Sequence, residues 1–274
     1  MLAARTPSGP EAVTFTAVEV AGGTLPVAMA GDGPLLICLH GWTLDHRMWC
    51  PQVAELAECF TLVMPDRRGC GRATAPPDLA REAQDMIDIA DTLGFAFFSL
   101  CGLSQGAVAA LDAARRFPRL VNRLVISGAP LPALVPREEV IELEALRALV
   151  ASGDLAGFRA AWRAHPLMHT HTPEAAALAA EMLAEYDGRD LLADGEAPLI
   201  TRADIAALET PVLALTGEHD TAWRRDCARA LAETAPRGQH ALIDAAGHLA
   251  SLDNPHQFNR IIRDFLLGSA PRPH

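Results

Sequence analysis

The chain has 274 residues, enough for one large domain or for one domain carrying a sizeable insertion, and it needs neither disulfides nor a metal to close a core. Hydrophobic residues make up 50% and charged residues 21%, which excludes a disordered chain. The formal net charge is -11 and every cation is an arginine, so a basic face for phosphate backbones is missing and nucleic acid is set aside as a partner.

No stretch reaches the roughly 18 uncharged apolar residues that span a bilayer, so no membrane partner is expected. Met1 to Ala12 lacks the charged start and apolar block of a signal peptide. Cys38, Cys50, Cys59, Cys70, Cys101 and Cys227 are scattered, with no C-x-x-C pair and no zinc spacing, which reads as reduced thiols in a cytoplasmic protein.

In chain order, Val13–Val20 and Thr24–Ala30 read as two strands joined at Ala21-Gly22-Gly23. Pro34 to Leu39 (PLLICL) is a continuous apolar run, as expected of a strand buried on both faces. Trp49, Val53 and Leu56 recur at helical spacing, and Phe60–Met64 is another buried strand ending at Pro65-Asp66. Leu79–Leu93 reads as a helix with Ala83, Ile87 and Ala90 on one face. Ala96–Cys101 is a strand, Ala107–Phe117 a helix and Val121–Ser127 a strand. Such alternation predicts a parallel sheet covered on both faces.

The alternation stops at Leu131, and apolar spacing is helical to about Ala207. Pro136 is expected to open a helix carrying Val140, Leu143 and Leu146. Asp154 caps one carrying Leu155, Phe158 and Trp162, and Thr172-Pro173 starts one carrying Leu178, Met182 and Tyr186. Strand spacing returns at Pro211–Thr216. A helix over 222–235, a strand near Gln239–Asp244 and a last helix over Asn254–Leu267 follow. The predicted organisation is one α/β core, residues 1–130 and 208–274, interrupted by a helical insertion at 131–207.

Gly102-Leu103-Ser104-Gln105-Gly106 follows a predicted strand and opens a predicted helix. A serine in a tight strand-to-helix turn needs neighbours without bulk two residues before and after, where backbones pass closely. The turn also aims the Gln105 N–H, at a helix start, toward charge developing on a substrate oxygen. The bland alternative is a glycine-flanked serine that only caps a helix. A serine hydroxyl needs a base and an orienting acid, and His248 and Asp220 stand in loops beyond the last two strands, at the same sheet edge. The strand ending at Ser127 leads into Gly128-Ala129-Pro130 and offers no carboxylate, which favours Asp220.

His40-Gly41-Trp42 follows the strand PLLICL, so the Trp42 N–H is the second candidate oxyanion donor, paired with that of Gln105. His40 itself reads as a structural histidine. Trp162, His165, Met168 and His169 from the insertion, with Leu103, form the candidate substrate pocket. His165, His169 and His171 lie close in sequence, yet no carboxylate pattern accompanies them and no metal is assigned. Gly69 and Gly71 fall short of a dinucleotide or Walker fingerprint, so no cofactor is expected.

HGW at 40–42, DRRGCGR at 66–72, GLSQG at 102–106, GEHD at 217–220 and AGHLASLDNP at 246–255 occur in the order Ser104, Asp220, His248 over nearly the whole length. In these pieces the chain resembles an α/β-hydrolase fold protein with a serine nucleophile and a helical cap. It is similar to 3-oxoadipate enol-lactonases and other small ester or lactone hydrolases, and in its DRRG turn to cofactor-free haloperoxidases. The resemblance implies a mostly parallel twisted sheet with helices on both faces and an inserted helical lid. It makes Asp66–Gly69 a structural turn without catalysis. Epoxide hydrolases and haloalkane dehalogenases of this superfamily carry a carboxylate where Ser104 stands, which disfavours those chemistries. Two departures are Ala107, where many members have a further glycine, and Gln105, where methionine or leucine is common.

The implied function is a serine hydrolase cleaving a small carboxylic ester or lactone through an acyl-enzyme. The alternatives are a cofactor-free perhydrolase or a hydroxynitrile-lyase-like enzyme on the same triad, and a ligand-binding signalling protein on a hydrolase scaffold. The expected partner is a small-molecule substrate; a homo-oligomer is left open.

Overall fold

The apolar runs become the interior strands of an eight-stranded sheet in the computed structural model, which describes residues 12–193 and 195–268. The strands are β1 (Thr14–Val20), β2 (Gly23–Ala30), β3 (Leu35–Leu39), β4 (Thr61–Pro65), β5 (Phe98–Leu103), β6 (Val121–Ser127), β7 (Val212–Gly217) and β8 (Gly238–Ile243). Their order is β1-β2-β4-β3-β5-β6-β7-β8. The first hairpin is antiparallel to its neighbours, and every pairing from β4 to β8 is parallel. β3, β4 and β7 are buried at every residue, as continuous apolar runs require. The reading of Met1–Ala12 falls, but for its last residue, outside the described residues.

The helices of the core are α1 (Cys50–Leu56), α2 (Glu82–Thr92) and α3 (Gln105–Arg116). The insertion between β6 and β7 holds α4 (Leu143–Ala151), α5 (Leu155–Arg163), α6 (Pro173–Glu185) and α7 (Arg202–Ala206). The core resumes with α8 (Ala222–Thr234), α9 (Ala250–Asp253) and α10 (Pro255–Leu266). Two apolar clusters result, each gathering side chains from alternate positions of the strands. One joins the sheet to α2, α3 and α8 through Met86, Leu111 and Leu231. The other joins it to Trp49, Phe258 and Ile262, and runs on into Phe158, Trp162 and Met182 of the insertion. No helix among the described residues is long and apolar enough to cross a membrane.

The insertion follows its sequence signals except at its start and between α6 and α7, where the helical spacing expected to about Ala207 yields, over 186–193 and 195–201, a single 3-10 turn at Arg189–Leu192. The Asp154 carboxylate accepts from the Gly157 N–H, and the Thr172 hydroxyl from the Ala175 N–H with Pro173 in the first turn. The helix expected from Pro136 instead begins at Leu143, and residues 136–142 carry no regular structure. Helical spacing would have turned Val140 inward, yet it is 67% exposed. Glu139 is drawn in instead, because its carboxylate bonds to Arg224 and Thr221 of the core.

A single arginine fastens the insertion to the loop after β4. The Arg189 guanidinium donates to the carbonyl oxygens of Gly69, Cys70, Gly71 and Ala73 at 2.9–3.1 Å. Arg189→Met keeps the bulk and removes the donors. The variant should lose about 2 kcal/mol of stability, lowering Tm by about 4–8 °C, with first proteolytic cuts inside 131–207. An unchanged melting curve would show that the four bonds do not hold the insertion down.

Candidate active site

Ser104 has φ 53° and ψ -113°, the left-handed side of the backbone map that a non-glycine residue occupies at a cost of about 1–3 kcal/mol. The turn is held by the Ser104 N–H, which donates to the Ser127 carbonyl of β6 at 2.8 Å, and by the first turn of α3. The flanking glycines have the steric reason anticipated for them. A Cβ on Gly102 would lie 2.5 Å from the Gly106 carbonyl oxygen, and one on Gly106 would lie 2.5 Å from those of Leu39 and His40. The serine therefore stands clear of the backbone, at the carboxyl edge of the sheet.

The loops after β7 and β8 bring Asp220 and His248 together. His248 Nδ1 is 3.0 Å from Asp220 Oδ2, and both side chains are buried. A carboxylate only accepts, so Nδ1 carries the proton and Nε2 is left as the basic nitrogen. Asp220 is fixed in turn by the Thr221 N–H, at 2.7 Å. The Asp253 carboxylate accepts from the Gly247 N–H at 2.8 Å and so buttresses the His248 loop. Gly128 is required here too, since a Cβ would lie 2.6 Å from His248 Cε1. The hydrogen bond that Ser104 Oγ makes is to Arg224 Nη1, at 3.5 Å; none joins it to His248 among the described residues.

The N–H groups of Trp42 and Gln105 donate to no other protein group among the described residues. Their loop is held by a network that sequence reading did not find. His40 Nδ1 donates to the Gly41 carbonyl at 2.8 Å, and its Nε2 accepts from the Arg67 N–H at 3.0 Å. Both partners of the ring are thereby fixed in the neutral form. Burial and the Arg67 guanidinium pull its pKa down to about 4. Arg67, itself buried, donates to the His40 carbonyl, to Gln105 Oε1 and to Glu82. The turn read as structural thus ties the two candidate oxyanion donors to one cation. A signal for it was present: Glu82 and Asp85 sit on the buried face of α2, opposite Arg67 and Arg68.

A cavity of about 380 Å³ opens over Ser104, walled by Trp42, Leu103, Gln105 and His248 from the core and by Trp162 and Met168 from the insertion. Trp42 packs edge-on to Trp162 with ring centres 4.5 Å apart, and its indole N–H donates to Tyr186 and to Asp190. Burial raises the pKa of Asp190. His165 and His169, expected in the pocket, are not part of the wall. His165 stacks on Trp162, accepts from the Leu167 N–H through Nδ1 and donates to the Val140 carbonyl through Nε2, so both ring nitrogens are engaged within the protein. His169 faces outward because the turn at Pro166–Met168 directs Leu167 and Met168 inward.

Arg224 is the unanticipated member of the site. Its guanidinium forms a buried ion pair with Glu139 at 2.7 Å and donates to the Gly128 carbonyl at 2.7 Å. Burial works against the Glu139 carboxylate, but the bonds from Arg224 hold its pKa below the usual range. One grouping of metal-ligating type, Asp45, His46 and Asp66, lies elsewhere among the described residues. Its carboxylates are taken by Arg47 and by the N–H groups of His46 and Arg72, which makes it a loop clasp.

The pattern of the alpha/beta hydrolase family matches residues 36–261. RutD of Agrobacterium fabrum, named as a proposed carbamate hydrolase, is 27% identical over 250 residues, 86% of this chain and 94% of its own. The 3-oxoadipate enol-lactonase 1 of Acinetobacter baylyi is 27% identical over 263 residues, 89% of this chain and 94% of its own. The carboxylesterase YbfK of Bacillus subtilis is 26% identical over 246 residues, 86% of this chain and 81% of its own. The crystal structure of YbfK superposes with a TM-score of 0.76, covering 94% of this chain and 93% of that one. At 24% identity, that superposition speaks for the fold.

The His40 network has a direct check. Its imidazole should remain the neutral Nδ1–H tautomer at pH 5 in nitrogen-resolved NMR spectra and titrate only near 4. Below 6.5 the unfolded chain binds a proton that the native ring refuses, so this stabilisation is full above 6.5 and is lost as pH falls toward 4. A ring that is half-protonated near 6.5 in the folded protein would contradict the buried arrangement.

Proposed function

This chain belongs to the alpha/beta hydrolase family, and from that premise we propose that it is a serine hydrolase cleaving a small carboxylic ester or lactone through an acyl-enzyme. The observation that carries the proposal is the conjunction at one sheet edge. A serine in a strained turn stands beside a histidine oriented by a buried aspartate, with two backbone N–H groups close by that engage no group among the described residues. The carboxylesterase and enol-lactonase names of its relatives point the same way.

Ser104 Oγ attacks the carbonyl carbon as its proton passes to His248 Nε2. Asp220 holds the ring in the receiving tautomer and offsets the imidazolium charge. The carbonyl oxygen becomes an oxyanion, received by the N–H groups of Trp42 and Gln105. Each donor is worth about 2.7–4 kcal/mol in such a transition state. The alcohol leaves with the proton from His248, water adds to the acyl-enzyme with His248 again as base, and the acid departs. Leu103, Trp162 and Met168 wall the substrate. Residues 131–207 act as the cap that encloses it, over a core of 1–130 and 208–274. All six cysteines are free, which supports a reducing compartment, the cytoplasm.

Phenyl acetate hydrolysis gives the test. Ser104→Ala and His248→Gln should each lower kcat/KM by roughly 10⁴-fold or more, and Asp220→Asn by about 10⁴-fold, with unchanged far-ultraviolet circular dichroism. Full activity in Ser104→Ala would end the proposal.

A further inference from the structure

The cavity contains a cation for which the mechanism above has no use. Arg224 lies on α8 and is 2% exposed. Its Nε and Nη2 donate to the two oxygens of Glu139 at 2.7–3.2 Å, and Nη1 gives one N–H to the Gly128 carbonyl at 2.7 Å. Nη1 carries a second N–H. The acceptor it meets is Ser104 Oγ at 3.5 Å, the outer limit of a hydrogen bond. Among the described residues this donor has no closer acceptor, which is costly for a buried guanidinium, and it is aimed over the nucleophile.

A second cation stands beside it. Arg137, from the irregular segment 136–142, walls the same cavity. Its guanidinium packs on the Trp223 ring at 5.6 Å, and that of Arg224 packs on the same ring at 5.2 Å. Among the described residues, of these two guanidinium groups only Arg224 has a carboxylate partner, Glu139; Arg137 donates to the Glu139 backbone carbonyl. The other charged groups of the wall are occupied. Arg68 pairs with Asp85, Arg147 with Glu144 and Asp78 with Arg81, while Asp190 accepts from Trp42 and Tyr186. In a chain of net charge -11, two guanidinium groups thus share this wall with the nucleophile.

We propose that Arg224, assisted by Arg137, receives a carboxylate of the substrate, so that the preferred substrates are anionic esters or lactones whose acyl portion bears a second carboxylate. This rests on Ser104 being the nucleophile. An acceptor about 3 Å from Nη1 lies within about 6–7 Å of Ser104 Oγ. That reach places the carboxylate two to four bonds from the scissile carbonyl, the size of a malonyl, succinyl or glutaryl group. Because the acyl group stays on Oγ after the alcohol leaves, a cation beside that oxygen serves both halves of the reaction. The substrate carboxylate then takes the second N–H of Nη1 in place of the long contact to Ser104 Oγ.

The test compares monophenyl glutarate with its charge-capped partner, phenyl methyl glutarate, by phenol release. The wild type should favour the anionic ester by about 10- to 100-fold in kcat/KM, the range a charged hydrogen bond supplies. Arg224→Gln should bring that ratio to about one, mainly through KM. Because this variant leaves Glu139 buried without its partner, Arg224→Gln/Glu139→Gln is measured beside it and should lose the preference equally. Turnover of both esters without preference in the wild type would overturn the anion subsite and leave the hydrolase reading standing. Turnover of neither, with phenyl acetate cleaved, would overturn the subsite alone, and failure on phenyl acetate as well would overturn the reading of Ser104 and the subsite with it.

Discussion

The site depends on a backbone turn that has no room for side chains. Ser104 can stand clear of the sheet only if β5 and α3 meet at a corner where Gly102, Gly106 and the β3 carbonyls nearly touch. That corner sets the φ of 53° at the serine, starts the helix whose first N–H donates to no group among the described residues, and fixes the edge at which the loops after β7 and β8 must meet it. The strain is local, and the large apolar clusters on both faces of the sheet sustain it.

Buried charge provides the second level of order. Arg67 and Glu82, Arg68 and Asp85, and Arg224 and Glu139 are ion pairs withdrawn from water. Such pairs contribute little net stability, since desolvation offsets the attraction, but removing one partner is severe. Their role here is positional. Arg67 links the loop that offers the Trp42 N–H to the side chain of Gln105. Arg224 draws the start of the insertion down to the nucleophile.

The elements that a short sequence window encodes were legible. Pro34–Leu39 read as a doubly buried strand and Pro211–Thr216 as a strand, and Asp154 and Thr172 announced their helices through caps that a neighbouring N–H completes. The candidate triad was legible because each member falls at the end of a strand. What periodicity could not reveal were bonds between distant segments. Val140, Leu143 and Leu146 share helical spacing, but the attraction between Glu139 and an arginine 85 residues away unwinds their first turn. His165 and His169 adjoin Trp162 in sequence, and only the turn after α5 decides that Met168 enters the cavity while they do not.

The central claim is that one atom of Ser104 is the nucleophile and that two backbone N–H groups receive the oxygen opposite it. A crystal structure of the protein after reaction with a small fluorophosphonate tests both parts at once. The account predicts density continuous from Ser104 Oγ to phosphorus, with the phosphoryl oxygen about 2.7–3.1 Å from the nitrogens of Trp42 and Gln105. An unmodified Ser104, or an adduct whose oxygen points away from those two nitrogens, would contradict it.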